Sequence, residues 1–416
     1  MRRACAVSLV VFVTGAAMAR AQGAPAGPEF RANTYTPGNE FGASVARDAA
    51  SNFVAVWQSS NQDGSLTGIF GQRYAASGGP LGPEFRVNTY TTGNQFGPAV
   101  ATDAAGNFVV VWTSQLQDGS AFGIFGQRFA AGGAPAGPEF RVNTFTNGSQ
   151  FIPAVSAAPA GGFVVAWMTP DGSQYGIGAQ RYAASGSPLG GEFRVNTFTS
   201  AYQADPAIGT DGAGSFVVAW ASDLQDGAAY GVFGQRYAAS GAPLGGEFAV
   251  NTHTTGDQIV PEVGVDAAGN FVMVWQSAGQ DGAASGIFGQ RYALTGAALG
   301  AEFRVNSYTP SDQARPAVAS DSTGNFVVTW QSLGQDGSGA GVFGQRFTAG
   351  GGPSGSEFRV NSYLTGDQMD PAVAADPAGN FVVVWTSAGQ DGSNYGVFGQ
   401  RYGLIVPVEL LHYGVE

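Results

Sequence analysis

Seven Asp-Gly pairs, at Asp63, Asp118, Asp171, Asp226, Asp281, Asp336 and Asp391, are the most regular carboxylates in this sequence. A carboxylate in such a place either bonds its own turn while the glycine accepts a positive φ, or it ligates a cation. Calcium loops gather several oxygen side chains, as in D-x-[DN]-x-[DN]-G, whereas each of these loops has one Asp. The turn is therefore the preferred reading, calcium is the alternative, and no other cofactor is expected. Thirteen arginines recur in step with these pairs, six in Glu-Phe-Arg and seven in Gln-Arg, and beyond residue 21 only Arg47 and Arg315 fall outside. Repetition of that kind suits structural partners of repeated carboxylates better than a few arginines converging on one substrate. Glycoside hydrolysis needs two carboxylates flanking one bond. Glu40, Glu262, Glu409 and Glu416 are the glutamates outside the repeat, and spacing brings no two of them together. His253 stands where other copies have Tyr or Phe, so it reads as a tolerated substitution. No catalytic residue is assigned.

The elements that position these residues follow from the period. The tryptophans, Trp57, Trp112, Trp167, Trp220, Trp275, Trp330 and Trp385, are 55 residues apart except for one interval of 53, and Glu-Phe and Gln-Arg return in the same register. Such periodicity marks a repeat architecture. Within one unit four β-prone runs are separated by Gly, Asp, Asn and Ser: Glu84 to Thr91, Pro98 to Thr102, Phe108 to Trp112 and Ile124 to Phe129. The run FVVVW is apolar on both sides of its pleat and needs cover on both faces. Seven units of four short strands, stacked around an axis, provide that cover: an all-β, seven-bladed β-propeller of antiparallel blades. The small-residue strand PAVAT suits the crowded centre, and the order outward is PAVAT, FVVVW, IFGQRF, then EFRVN of the next unit. The segment Glu29 to Thr36 is expected to complete the last blade, removing an exposed edge. Residues 22–402 form the propeller on this reading, and 403–416 pack on the last blade as a tail.

The stretch PAVATDAAGNFVVVW, Pro98 to Trp112, resembles the inner strand, D-x-x-G turn and second strand of bacterial secreted propellers loosely related to the sialidase-like superfamily. That resemblance implies a propeller without implying the enzyme. The box S-x-D-x-G-x-x-W is not reproduced, since Asp103 and Gly106 are three apart and Trp112 is farther on.

In such a blade the loop after FVVVW and the loop before PAVAT open on one face. That face receives polar residues, among them Gln95, Gln117 and Asp118, while the other receives mostly Ala, Gly and Pro. The ligand-binding candidates are thus the seven Asp-Gly aspartates with Gln95, and Tyr202 and Asp205 in the fourth copy, which departs from the pattern. The third copy also departs, being two residues shorter around Met168 to Asp171 and carrying Pro159 in the turn that elsewhere carries Asp.

Composition narrows the partners. The 416 residues carry no lysine, 18 arginines and 30 acidic residues, a net charge of −12. Such a surface disfavours nucleic acid and anionic lipid. Arg2 and Arg3, an apolar run from Ala6 to Ala17 and Ala19-Arg20-Ala21 read as a cleaved secretory signal over 1–21. The run is too short to anchor the chain across a membrane. The mature chain would contain no cysteine, because Cys5 lies within the signal. The expectation is an exported or cell-surface binding protein that recognises a glycan or protein on its polar face. A matrix protein is the first alternative and a glycosidase-type enzyme the second.

Overall fold

The computed structural model describes residues 22–404; the expected signal and the tail segment Val406 to Leu411 lie outside the described residues. Seven antiparallel sheets follow one another around a ring. Their inner strands are Glu40–Arg47, Gln95–Thr102, Phe151–Ala157, Gln203–Thr210, Gln258–Val265, Gln313–Ser320 and Gln368–Ala375, and these number blades 1 to 7. Inner strands of neighbouring blades touch all the way round, blade 7 meeting blade 1. The architecture is the expected seven-bladed propeller. In blade 2 the second strand is Phe108–Gln115, the third Phe122–Phe129 and the outer Phe140–Arg141. Trp112 pairs with Phe125, and Val111 with both Ala99 and Gly126. Each expected inner or central strand is thus present and runs a few residues longer.

Both faces of every second strand are covered. All seven tryptophans are fully buried, and each packs with apolar residues of its own and the adjoining blade. Trp112, for example, lies with Val54, Val56 and Ile69 of blade 1. Burying one such side chain stabilises the fold by roughly 1.5–3 kcal/mol or more, being larger than Leu or Phe.

The outer strand corrects the expectation. It spans two residues, Phe140–Arg141 in blade 2 and Phe85–Arg86 in blade 1, where a run to Thr91 was read. The reason is the buried Asn two residues on. The Asn143 side-chain oxygen accepts the Ile124 N–H at 2.7 Å, replacing the backbone ladder and releasing the chain toward the next blade.

The chain ends meet in blade 7. Phe30–Arg31 pairs with Gly399 and Phe398 of the third strand, as expected for the N-terminal segment. Gln22–Pro25 adds a further pairing along Tyr402 to Leu404, which the repeat pattern did not anticipate. This seam also holds a buried ion pair, Arg47 to Asp376 at 3.4 Å, and a 2.5 Å hydrogen bond donated by Ser51 Oγ to the same carboxylate.

Candidate functional site on the polar face

Most of the repeated polar residues are occupied in holding blades together. In blade 2, Asp118 Oδ1 accepts the Ser120 N–H at 3.0 Å and Oδ2 accepts the Asn143 amide at 3.3 Å. Gly119 has φ 86°. A Cβ on Gly123 would lie 2.5 Å from Asp118 Oδ2, so the turn folds its carboxylate inward. Six of the seven aspartates accept the equivalent bond from a buried Asn. In the shortened third copy Asp171 takes the Ser173 hydroxyl instead, at 3.1 Å. The same copy places Ala158, not Pro159, where the other turns have Asp: its N–H donates to Gly162 as that of Asp103 does to Asn107.

Gln95 is completely buried. Its amide donates to the Thr92 carbonyl at 3.0 Å and its oxygen accepts from Asn88, so it supports the loop and presents nothing to a ligand. The repeated glutamates link blades: Glu139 accepts the Thr89 N–H at 2.6 Å and hydroxyl at 2.9 Å, and the Gln117 amide from its own blade. The repeated arginines correct a second expectation. Six of the seven in Gln-Arg bond carbonyls, as Arg128 does to Ala184 at 2.8 Å in the next blade and Ala136 at 2.6 Å. Those of Glu-Phe-Arg are exposed. Arg47 and Arg315, the two arginines beyond residue 21 that fall outside the repeat, each make an ion pair.

The departures from sevenfold symmetry gather near the axis. Each inner strand carries a bulge two residues after its buried amide or acid, marked by a register shift such as that between Phe96 and Ala99. The bulged residues are Gly42, Gly97, Ile152, Asp205, Val260, Arg315 and Asp370, all with φ between 49° and 62°. For residues other than glycine this conformation is strained, and a bulge re-aims the side chain it carries. Arg315 of blade 6 and Asp370 of blade 7 pair at 2.9 Å with both side chains partly exposed. Asp205 of blade 4 interacts with Arg315 and bonds the Val260 backbone. Burial raises its pKa, an effect Arg315 partly offsets. Glu262, on the blade 5 inner strand, is pushed up to about 7 by burial and then by Asp205. Charged groups from four inner strands that act on one another must lie around the channel mouth.

A second asymmetric feature lies beside it. Phe96 and Phe122 meet edge to face at 5.6 Å, followed by Phe122 and Phe151 at 5.4 Å, Phe151 and Tyr175 at 5.7 Å, and Tyr175 and Tyr202 at 5.3 Å. All five rings are half-buried. They begin inner and third strands, or precede one, across blades 2 to 4. Equivalent positions in blades 5 and 6 hold Ile259, Ser285, Ala314 and Ala340. Tyr230, next in the sequence of blades, has its hydroxyl pKa raised by burial and by neighbouring Asp223, Tyr202, Asp205 and Asp257. Tyr202, the last ring of the arc, is three residues before Asp205.

Asp205 is thus brought together with Glu262, Arg315 and Asp370, which sequence reasoning did not place in a site, while Tyr202 ends the row of rings three residues before it. Arg315 and Glu262 were already visible as residues outside the repeat. His253 is held through its carbonyl, which accepts from the Asn251 amide at 2.9 Å. On the opposite face, clefts of up to about 260 Å³ lie between blades, one lined by Asp103, Arg128 and Phe163. These clefts repeat from seam to seam.

No group of three or more His, Cys, Asp or Glu side chains among the described residues is placed to hold a metal, and no helix among them is long and apolar enough to cross a membrane. Neither a protein-family model nor a curated protein matches the chain. Solved structures share its fold. A protein of unknown function from Dyadobacter fermentans aligns at 9% identity over 92% of this chain and 98% of that one, TM-score 0.54. A polysaccharide lyase aligns at 10% identity over 94% and 96%, TM-score 0.54. An α-L-arabinanase from Penicillium chrysogenum, complexed with arabinobiose, aligns at 14% identity over 91% and 99%, TM-score 0.51. At these identities the likeness is one of fold.

Proposed function

We propose that this chain is an exported propeller that binds a glycan on its polar face, at the axial group of Asp205, Glu262, Arg315 and Asp370. The observation that carries this reading is the convergence there of charged side chains with no counterpart in the other blades. Carboxylates, a carboxyl whose pKa burial raises to about 7 and a guanidinium offer hydrogen-bond acceptors and donors to hydroxyl-rich ligands. Half-exposed aromatic rings beside them favour a ligand with apolar faces as well. Export rests on the Arg2-Arg3 start and the Ala19-Arg20-Ala21 motif.

A glycan array probed with the full-length secreted protein, with and without EDTA, tests the proposal. Binding to neutral glycans that EDTA leaves unchanged is expected. Absence of binding across the array would leave the matrix role as the better reading.

One observation favours a second reading. Asp205 and Glu262 interact, and Glu262 retains its proton to about pH 7, as a general acid must. Incubation with neutral polysaccharides and an assay for new reducing ends tests hydrolysis. If none appear, binding is the whole activity.

A further inference from the structure

Resting on the glycan reading above, we infer that the aromatic arc is a track on which an extended, neutral oligosaccharide lies, with one end toward Asp205. Phe96, Phe122, Phe151, Tyr175 and Tyr202 follow one another at 5.3–5.7 Å. The series is one ring wide and crosses three blades. A line of that width suits a chain, whereas a folded protein partner requires a broad patch. Each ring is half-buried. Phe151, Tyr175 and Tyr202 pack against the hydrophobic core beneath them, which holds their orientation before any ligand arrives.

Charge selects the ligand class. The chain carries −12 overall, the last ring of the arc, Tyr202, stands three residues before Asp205, and Arg315 is already paired with Asp370. An anionic polysaccharide would meet acidic groups at that end without an uncommitted arginine. A neutral sugar chain instead places its apolar ring faces on the aromatics and its hydroxyls against the carboxyl groups.

The arc also has direction. Blades 5 and 6 replace the rings with Ile, Ser and Ala, so the track stops in blade 4 and does not encircle the axis. Units far from the mouth therefore gain affinity from stacking alone, and the terminal unit gains it from hydrogen bonds.

Titration calorimetry of the full-length protein with neutral gluco-, xylo- and arabino-oligosaccharides of increasing length separates these contributions. In the wild type, affinity should rise with chain length for the sugar that binds. Phe122→Leu and Tyr175→Leu keep an apolar side chain in place but remove the ring face, and each should weaken the longer ligands about tenfold while leaving the shortest unchanged. Asp205→Gly should weaken short and long ligands alike. Thermal melting of each variant checks that the fold persists. If longer ligands bind no better than short ones, or the two leucine variants bind normally, the rings are internal packing and the track is wrong. If the wild type binds no member of the set, the glycan reading falls and the track falls with it.

Discussion

The turn at Asp118 and the bulge at Asp205 both put an aspartate on the polar face, yet the two serve opposite ends. Asp118 recurs in every blade and its oxygens are engaged by Ser120 and Asn143 of the surrounding loops. Asp205 recurs only in blade 7, as Asp370, and both stand in a strained conformation at φ 50° and 52°; burial raises the pKa of Asp205. A side chain that sevenfold repetition places in equivalent surroundings is best used to hold blades together. A binding site on such a ring has to be made from the exceptions.

The largest effect expected on the repeated side of this comparison is at a tryptophan. Trp112→Ala should destabilise the protein by about 3–5 kcal/mol in chemical unfolding, through the cavity it leaves between blades. A change below 1 kcal/mol would mean that the blades do not pack through these residues.

Next is Glu40, which occupies in blade 1 the buried place that Gln95 has in blade 2. Burial pushes its pKa up to about 7, against the bonding from Ser59 that lowers it. A carboxyl whose folded pKa lies above its unfolded value binds more protons when folded, so stability falls as pH rises from about 4.5 to about 7. Glu40→Gln restores the amide of the other blades. It should stabilise the protein by about 1–3 kcal/mol at pH 8 and by little at pH 4, flattening the profile of melting temperature against pH. An unchanged profile would remove Glu40 as its origin. Glu262 shifts in the same direction, so Glu262→Gln should flatten the profile further.

Asp118→Ala should cost about 0.5–2 kcal/mol, by releasing the Ser120 N–H and the Asn143 amide. Glycan binding should survive it. Smallest is Arg315→Ala, which breaks a partly exposed pair and should alter stability by less than about 1 kcal/mol while changing ligand affinity. A larger loss of stability would make that pair part of the scaffold.

Much of the scaffold was legible in the residues. A fixed period, a strand apolar on both faces and a small-residue strand suffice for blade number, strand order and the closure by Phe30–Arg31, because each is a statement about which surfaces must be covered. The two-residue outer strand was not legible, because Asn143 bonds the ladder with its side chain and a polar residue in an alternating run reads as a surface position. Gln95 misled for a related reason: an amide beside Gly and Asn in a loop looks exposed, and only the fold shows it closing over its own turn. The site was less legible still. Asp205 and Tyr202 could be singled out as departures, but Glu262, Arg315 and Asp370 are far apart along the chain and meet only because inner strands surround one axis. The aromatic arc needs one further step, since Phe122 reaches Phe151 only when the third strand of one blade lies beside the inner strand of the next.

A paired measurement on Asp118→Ala and Asp205→Gly tests most directly whether function rests on the exceptions to the repeat. Glycine is already the residue at the equivalent bulges, Gly42 and Gly97, so Asp205→Gly removes the side chain without disturbing the backbone. Melting temperature and glycan-array signal are read for both variants beside the wild type. Expected are a lowered melting temperature with retained binding for Asp118→Ala, and a melting temperature that is not lowered, with lost binding, for Asp205→Gly. Loss of binding at Asp118 with full binding at Asp205 would contradict this.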